Sequence, residues 1–174
     1  MRLSISATGV YIVNDTVYIT INDRGLCKIA VFKDGSIHEV LVLKDSSCLI
    51  LRSLSEGLLI SSGNILYLVS GDKAKPLLRT KAGNIFWHAT EVCDKFFVQE
   101  FGEDPTGIYV SEDLKSFRRV VTNRDIDPSS RHFHYITFDR DRKILITTLG
   151  DGNIVRAAFS DDCGSSWRPL YKGS

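Results

Sequence analysis

The sequence predicts an all-β fold built from four consecutive sets of four antiparallel strands. Long helical patterns are absent from the 174 residues, and short β-rich runs are broken at short intervals by Gly, Asn, Asp and Ser. The runs group into four sets of about 35 to 45 residues, which is close to the length of one β-propeller blade. We therefore expect a β-propeller or half-propeller of four four-stranded antiparallel blades.

The predicted strands follow one another with only short turns between them. Those of the first two sets are Gly9–Val13, Val17–Ile21, Cys27–Phe32 and Ile37–Leu43, then Ser47–Ser53, Gly57–Ser61, Asn64–Val69 and Lys75–Thr80. Those of the last two sets are Asn84–Thr90, Lys95–Phe101, Gly107–Ser111 and Ser116–Thr122, then His132–Phe138, Lys143–Thr148, Asn153–Ser160 and Trp167–Tyr171. The blades thus fall at about 9–43, 47–80, 84–122 and 132–171 of a single domain that spans residues 1–174.

A second signal repeats with the same period. An aspartate lies between the third and fourth strand of each set, at Asp34, Asp72, Asp113 and Asp162. The last three stand in a Ser-x-Asp tripeptide, which is a turn signature at the same point of three consecutive sets. The polar stretch 123–131 lengthens the last interval, and we predict a loop there.

The last copy is the sharpest motif. Ser160-Asp161-Asp162-Cys163-Gly164-Ser165-Ser166-Trp167 fits the pattern S-x-D-x-G-x-[ST]-W and resembles the Asp-box, or BNR repeat, of sialidase-like β-propellers. The copy that begins at Ser111 and contains Asp113 is one residue shorter, lacks the glycine and has Phe117 in place of the tryptophan. The resemblance implies that these boxes lie at the blade periphery, away from any reaction centre.

The chemistry of the box is structural. The Asp162 side chain is suited to accept hydrogen bonds from backbone N–H groups of its own turn. Gly164 allows the positive φ of a tight hairpin, and Trp167 offers a large apolar face for packing between sheets. We therefore assign Ser160, Asp162, Gly164 and Trp167, with Ser111 and Asp113 of the shorter copy, to turn stability and not to catalysis.

Composition excludes several classes of function. A net charge of +1 argues against a nucleic-acid partner, which would call for a basic surplus. No apolar run approaches about 18 residues, so no membrane association is expected. The segment 1–8 lacks the apolar stretch of a secretory signal.

The four cysteines are scattered, at Cys27, Cys48, Cys93 and Cys163, with no C-x-x-C pair. Paired spacing is typical of structural zinc sites, so such a site is not predicted. We expect four small buried hydrophobes in a protein of the reducing cytoplasm, with a long-range disulfide as the alternative.

Candidate ligand-binding residues come mainly from the first strand of each set, which lies innermost in a propeller. His132 and His134 alternate onto one face of a strand, and Asp151 follows in a turn of the same blade. Glu100, near the end of a second strand, is a candidate acid or base, and Arg131 is suited to a carboxylate ligand. The full predicted set is Trp87, His88, Glu100, Arg131, His132, His134 and Asp151.

No cofactor is required by this set, but His132, His134 and Asp151 form a candidate divalent-metal site. Imidazole nitrogens and a carboxylate oxygen suit zinc, manganese or iron. The alternative is that the histidines only satisfy backbone groups of the capping loops.

Sialidase activity is not expected. The chemistry of that family needs three arginines on one carboxylate, and the F-R-I-P type motif is absent, while Arg52 and Arg131 do not make a triad. We expect a binding or scaffold module with an axial polar pocket for a polar small molecule or carbohydrate, and catalytic residues stay unassigned. The alternative is a glycosidase-like hydrolase that uses Glu100 or Asp151 with His88, His132 and His134. An open four-blade arc would also expose two apolar blade faces and favour self-association into a larger propeller.

Overall fold

The computed structural model describes residues 7–13, 15–45 and 47–173 and confirms the all-β prediction. These residues form four separate four-stranded antiparallel sheets, each a simple meander in chain order. Most of the segment 1–8 and the terminal Ser174 lie outside the described residues.

The strand bounds agree closely with the predicted sets. The first sheet contains β1 (Ala7–Val13), β2 (Thr16–Asp23), β3 (Leu26–Lys33) and β4 (Ser36–Leu43), and the second contains β5 (Leu49–Leu54), β6 (Gly57–Ser62), β7 (Ile65–Ser70) and β8 (Lys73–Arg79). The third contains β9 (Ile85–Val92), β10 (Lys95–Phe101), β11 (Gly107–Ser111) and β12 (Arg118–Thr122), and the fourth contains β13 (Phe133–Asp139), β14 (Ile144–Leu149), β15 (Val155–Ser160) and β16 (Arg168–Gly173).

Among the strands that start later than predicted, β12 and β15 each start two residues late, and local hydrogen bonds explain both shifts. β12 starts at Arg118 because the backbone N–H of Ser116 donates to the Asp113 carboxylate, which holds this residue in the turn. β15 starts at Val155 because the N–H of Ile154 donates to the carbonyl of Asp151. In both cases a turn side chain or carbonyl competes with the strand ladder.

The chain divides into two compact units, 1–85 and 86–174, each with two sheets and its own apolar core. The core of the first unit is formed by Cys27, Ile29, Cys48, Leu58, Ile60 and Val69. The core of the second unit is formed by Phe97, Ile108, Val110, Val121, Phe133, Ile136, Leu145 and Leu149. Alternate residues of each strand supply these cores, as expected for antiparallel sheets with one buried face.

The predicted loop 123–131 contains one helical turn, α1 (Asn123–Ile126). Thr122 caps it, since its side chain accepts from the N–H of Asp125 while the Asp125 carboxylate accepts from the N–H of Thr122. This reciprocal pair is a capping box. In the described part of the chain, no helix has the length and apolar character needed to span a membrane.

The expectation of four free thiols is wrong. Cys27 is bonded to Cys48 in the first unit, and Cys93 is bonded to Cys163 in the second. Neither pair was assignable from spacing, because the partners are 21 and 70 residues apart and meet only where two different sheets pack together. The structure therefore removes the premise of reduced, buried cysteines on which the cytoplasmic expectation depended.

Candidate functional site

The segment Ser160–Trp167 forms a tightly hydrogen-bonded turn between β15 and β16. Asp162 accepts from the backbone N–H of Ser166 at 2.8 Å and from the Ser160 hydroxyl at 2.8 Å. The N–H of Gly164 donates to the Ser160 hydroxyl oxygen, also at 2.8 Å. These bonds, led by those from Ser166, lower the pKa of Asp162 to about 2.

The shorter copy between β11 and β12 builds the same kind of turn. Asp113 accepts from the N–H groups of Lys115 and Ser116 at 2.8 and 3.0 Å. The N–H of Leu114 donates to Ser111, which in turn donates to Asp113. The bonds from Lys115 and Ser116 lower the pKa of Asp113 to about 2. The aspartate therefore accepts backbone hydrogen bonds in this turn although the turn contains no glycine.

The first two sheets use a shorter connection at the equivalent point. Asp34 and Gly35 both have positive φ, 51° and 76°, and join β3 to β4 as a two-residue hairpin. Gly71 and Asp72 join β7 to β8 in the same number of residues. The repeated aspartate thus lies in two kinds of turn. The first unit has two-residue hairpins, and the second unit has the longer, hydrogen-bonded turns of Asp113 and Asp162.

Three predicted site residues meet in the second unit and are called the His–Asp cluster: His132, His134 and Asp151. The Nε2 atoms of the two histidines lie 3.0 and 3.2 Å from different oxygens of the Asp151 carboxylate. The His132 side chain is 8% exposed, whereas those of His134 and Asp151 are 38% and 35% exposed. The His132 ring is therefore buried, and His134 and Asp151 form the side of the cluster that solvent reaches.

Asp151 is positioned by a glycine that no other residue replaces easily. Gly150 has φ of 106°, and a Cβ there would lie 2.1 Å from the carbonyl oxygen of Ile154. Its N–H donates to the carbonyl of His132 at 3.0 Å, and its own carbonyl contacts Nε2 of His134. The loop that carries the carboxylate is thus tied to the strand segment that carries both histidines.

Both histidine rings are held by backbone groups. Nδ1 of His132 lies 2.9 Å from the carbonyl oxygen of Gly102, which follows β10. The pairing of β13 with β14 shifts register between Phe133 and Tyr135, so a bulge lies at His134. Bulges re-aim side chains and are frequent next to functional sites.

A buried asparagine supports the approach to the cluster. Asn123, fully buried, donates to the carbonyls of Ser130 and Arg131 and to the Asp104 carboxylate, and accepts from the N–H of Thr106. The loop 123–131 is further anchored by an ion pair between Asp127 and Arg156. Hydrogen bonds from Ser129 and Arg156 hold the pKa of Asp127 well below its usual range.

Four rings form a connected group that we call the aromatic row: Trp87, Phe101, His132 and His134. Trp87 contacts Phe101 with centroids 4.7 Å apart, and Phe101 contacts the rings of His132 and His134 at 4.2 and 5.7 Å. Trp87 itself is 43% exposed. An indole face is therefore open to solvent at one end of the row, with a polar imidazole–carboxylate group at the other.

The remaining predicted residues lie less close to the cluster. Arg131 lies at its rim, with NH1 3.8 Å from Asp151 and a side chain that is 73% exposed. His88 contacts Tyr135, with ring centroids 4.1 Å apart. Glu100 is 2% exposed, and its carboxylate accepts from the N–H of Gly107 and the hydroxyl of Tyr109. Glu100 therefore stabilises β11 in this structure.

Sequence reasoning missed Phe101, Gly102 and Asn123 as parts of the site. Phe101 ends a strand with no distinguishing motif, and Gly102 contributes only a carbonyl group. Asn123 stood in a stretch assigned to a loop, where a buried amide is unexpected. The one available signal was Phe101 next to Glu100, at the strand end nearest the predicted axis.

The His–Asp cluster has two chemical capabilities. It can hold a cation between two nitrogens and a carboxylate, and it can exchange hydrogen bonds with a polar ligand at its exposed side. No protein-family model matches the chain, and no curated protein matches it significantly. We therefore infer function from the fold and from this local chemistry.

Proposed function

We propose that the chain is a binding module of Asp-box β-propeller type, as a whole or half propeller, that takes a carbohydrate-like polar ligand beside the His–Asp cluster. The observation that carries the proposal is the aromatic row. It joins an exposed indole, through Phe101, to the partly exposed imidazole of His134, which lies beside the partly exposed carboxylate of Asp151. Four four-stranded meanders and two Asp-box turns support the propeller assignment.

Sugars present apolar C–H faces and polar hydroxyl edges, and a matching site needs both kinds of surface. The Trp87 ring offers the apolar face, because its packing against Phe101 fixes its orientation while 43% of the residue stays exposed. His134, Asp151 and Arg131 offer donors and acceptors nearby, all partly or largely exposed. A few polar groups next to an aromatic surface are typical of small-ligand sites.

Binding is favoured over glycoside hydrolysis. Hydrolysis of glycosides by the common route uses two carboxyl groups on either side of the scissile bond. Of the two carboxylates proposed for that role, Glu100 is buried and bonded to Gly107 and Tyr109, while Asp151 is reached by solvent. The Asp151 carboxylate is therefore accessible to a substrate, whereas the Glu100 carboxylate is buried and already hydrogen-bonded to Gly107 and Tyr109.

An array of immobilised neutral and acidic oligosaccharides, followed by calorimetry with those retained, tests the proposal. We expect Trp87→Ala to weaken binding by about tenfold, as loss of one aromatic contact predicts. Phe32→Ala is the matched control, since Phe32 is an exposed aromatic residue on β3 in the first unit. Retention of no oligosaccharide, or equal binding by wild type and Trp87→Ala, would overturn the proposal.

Self-association into a larger propeller is proposed from the edge strands. Val10 and Ile12 on β1 are 60% and 69% exposed, and Leu170 and Tyr171 on β16 are 54% and 57% exposed. β1 and β16 are edge strands of the first and fourth sheets. Exposed apolar edges favour pairing with another sheet.

Light scattering after size-exclusion chromatography tests the proposed self-association. A mass of twice 19.5 kDa that falls to one chain on Ile12→Lys would support a half-propeller completed by a second copy. A monomer at all concentrations would overturn self-association.

The two disulfides favour an oxidising compartment in place of the cytoplasm. Disulfides form and persist mainly outside reducing compartments. Both bonds link segments far apart in the chain, so each closes a long loop.

A further inference from the structure

We propose that His132, His134 and Asp151 bind a divalent transition-metal ion of the zinc class. One nitrogen of each histidine and one carboxylate oxygen lie within 4.8 Å of one another. This inference goes beyond carbohydrate binding and does not depend on it, because it concerns a cation held by the protein's own side chains.

The strongest observation is the buried Nε2 atom of His132. Nδ1 of the same ring lies 2.9 Å from the Gly102 carbonyl oxygen, which accepts hydrogen bonds only, so the Nδ1 proton is donated there. In the neutral ring, Nε2 then carries a lone pair. It is buried and has no hydrogen-bond partner among the described residues, although Asp151 Oδ2 is 3.0 Å away.

With the His132 ring neutral, two electron-rich atoms face each other at this point, and a cation would relieve the conflict. The contact between Nε2 and Oδ2 has the length of a hydrogen bond but not its direction. A metal ion between them would accept both lone pairs. The bond from Nδ1 to Gly102 would then act as the outer contact that fixes the ring tautomer, as is usual for histidine ligands.

Each histidine Nε2 lies close to one Asp151 oxygen, and the three ligand atoms, which lie within 4.8 Å of one another, would draw together around an ion. Zn–N and Zn–O bonds of about 2.0 to 2.2 Å place the ligand atoms of a tetrahedral site about 3.4 Å apart. The two nitrogen–oxygen distances to Asp151 are 3.0 and 3.2 Å. Three protein ligands leave a fourth position for water or another small ligand, on the side where His134 and Asp151 are exposed.

The surroundings neither supply a stronger competing site nor block this one. All four cysteines are held in disulfides, so thiolates do not compete for the ion. Arg131 approaches Asp151 at 3.8 Å, but its side chain is 73% exposed and lies at the rim of the cluster. Loading requires His134 Nε2 to exchange its contact with the Gly150 carbonyl for a bond to the metal.

Calorimetric titration of the chelator-treated, disulfide-intact protein with Zn²⁺ is the test. We expect one ion per chain, and we expect His132→Ala, His134→Ala and Asp151→Asn each to weaken binding. A ligand loss should exceed the effect of an outer contact, so the expected change is about a hundredfold or more. His38→Ala is the matched control, because His38 is an exposed histidine on β4 in the first unit and its loss should change nothing.

Two results would overturn the proposal. One is the absence of saturable binding at micromolar Zn²⁺, and the other is binding that His38→Ala weakens as much as His132→Ala does. Because His132→Ala removes a buried side chain, a measurement on wild type keeps the test decisive if that variant does not fold. Zn²⁺ should then shift the imidazole NMR signals of His132 and His134 and leave those of His38 in place, and any other pattern contradicts the site.

Discussion

The side-chain amide of Gln99 donates a hydrogen bond of 2.7 Å to the backbone carbonyl of Phe133. Gln99 lies on β10 and is fully buried, and Phe133 begins β13 between the two histidines of the cluster. The same amide also donates to the carbonyl of Glu100. One buried side chain therefore joins the third and fourth sheets directly behind the candidate metal site.

Replacement of this amide should loosen both the fold and the site. Gln99→Leu leaves the carbonyls of Phe133 and Glu100 without their donor, which we expect to cost about 1 to 3 kcal/mol of unfolding free energy. Urea denaturation measures the change. Gln99→Met, with a shape closer to glutamine, should lose a similar amount. Full stability in both variants would show that the hydrogen bonds contribute nothing.

Substitution of Gly150 tests how the Asp151 loop is positioned. Gly150→Ala forces a Cβ against the Ile154 carbonyl at positive φ, and we expect about 3 kcal/mol or more of lost stability. Gly152→Ala is the control in the same loop, since it has φ of 58° and open space around the new Cβ. Its cost should be about 1 kcal/mol. Thermal unfolding compares the two, and equal losses would contradict the steric account.

Acid should weaken the turns that contain Asp113 and Asp162 in a defined range of pH. The folded-state pKa of Asp113 and of Asp162 is about 2, below the unfolded value of about 3.9. Carboxylates with lowered pKa stabilise the fold above the unfolded pKa, and that contribution disappears as pH falls from about 4 to about 2.

Asp162→Asn should therefore flatten the pH dependence of unfolding between these limits. The measurement is the urea midpoint as a function of pH. Asp34→Asn, in a two-residue hairpin of the first unit, is the matched substitution for comparison. An unchanged slope in Asp162→Asn would mean that the turn does not favour the ionised carboxylate.

The two disulfides should stabilise the protein unequally. Loop-closure entropy predicts about 3.4 kcal/mol for the bond between Cys27 and Cys48 and about 4.4 kcal/mol for the bond between Cys93 and Cys163, which closes the longer loop. Double serine variants, unfolded in guanidinium chloride, measure both contributions. Thiol titration of denatured wild type should find no free thiols. Four titratable thiols in protein from its native source would instead restore the reduced, cytoplasmic interpretation.

The two tryptophans should differ in their contribution to stability. Trp167 packs against the core of the second unit, and Trp167→Ala should cost about 3 kcal/mol. Trp87 is 43% exposed, so Trp87→Ala should cost under about 1 kcal/mol. Thermal unfolding compares them, and a loss below that of Trp87→Ala would contradict the packing role of Trp167.

Much of the fold was predictable because strands and hairpins are encoded locally. Val, Ile and aromatic residues in short runs favour strands, and Asp with Gly favours the turns between them, so the bounds of the four sheets agree within a few residues. The hydrogen bonds of Asp162 belong to the same class, since every partner lies within four residues of it.

The candidate site was predictable only in part. His132, His134 and Asp151 lie within one set of strands, and a hairpin brings its first strand close to the turn after its second, so this association followed from topology. Phe101 and Gly102 come from the preceding sheet. Their contact with His132 depends on how two sheets pack, which no local pattern encodes.

The cysteines show most clearly where local information ends. Strand identity, the four-part repeat and the box turns follow from residues close together in the chain, because backbone conformation and short hydrogen bonds decide them. The pairing of Cys93 with Cys163 across 70 residues, and the burial of His132 Nε2 against Asp151, follow from the packing of side chains in three dimensions. Long-range contacts of this kind form only when the sheets assemble, since their energy depends on distances that sequence spacing does not set.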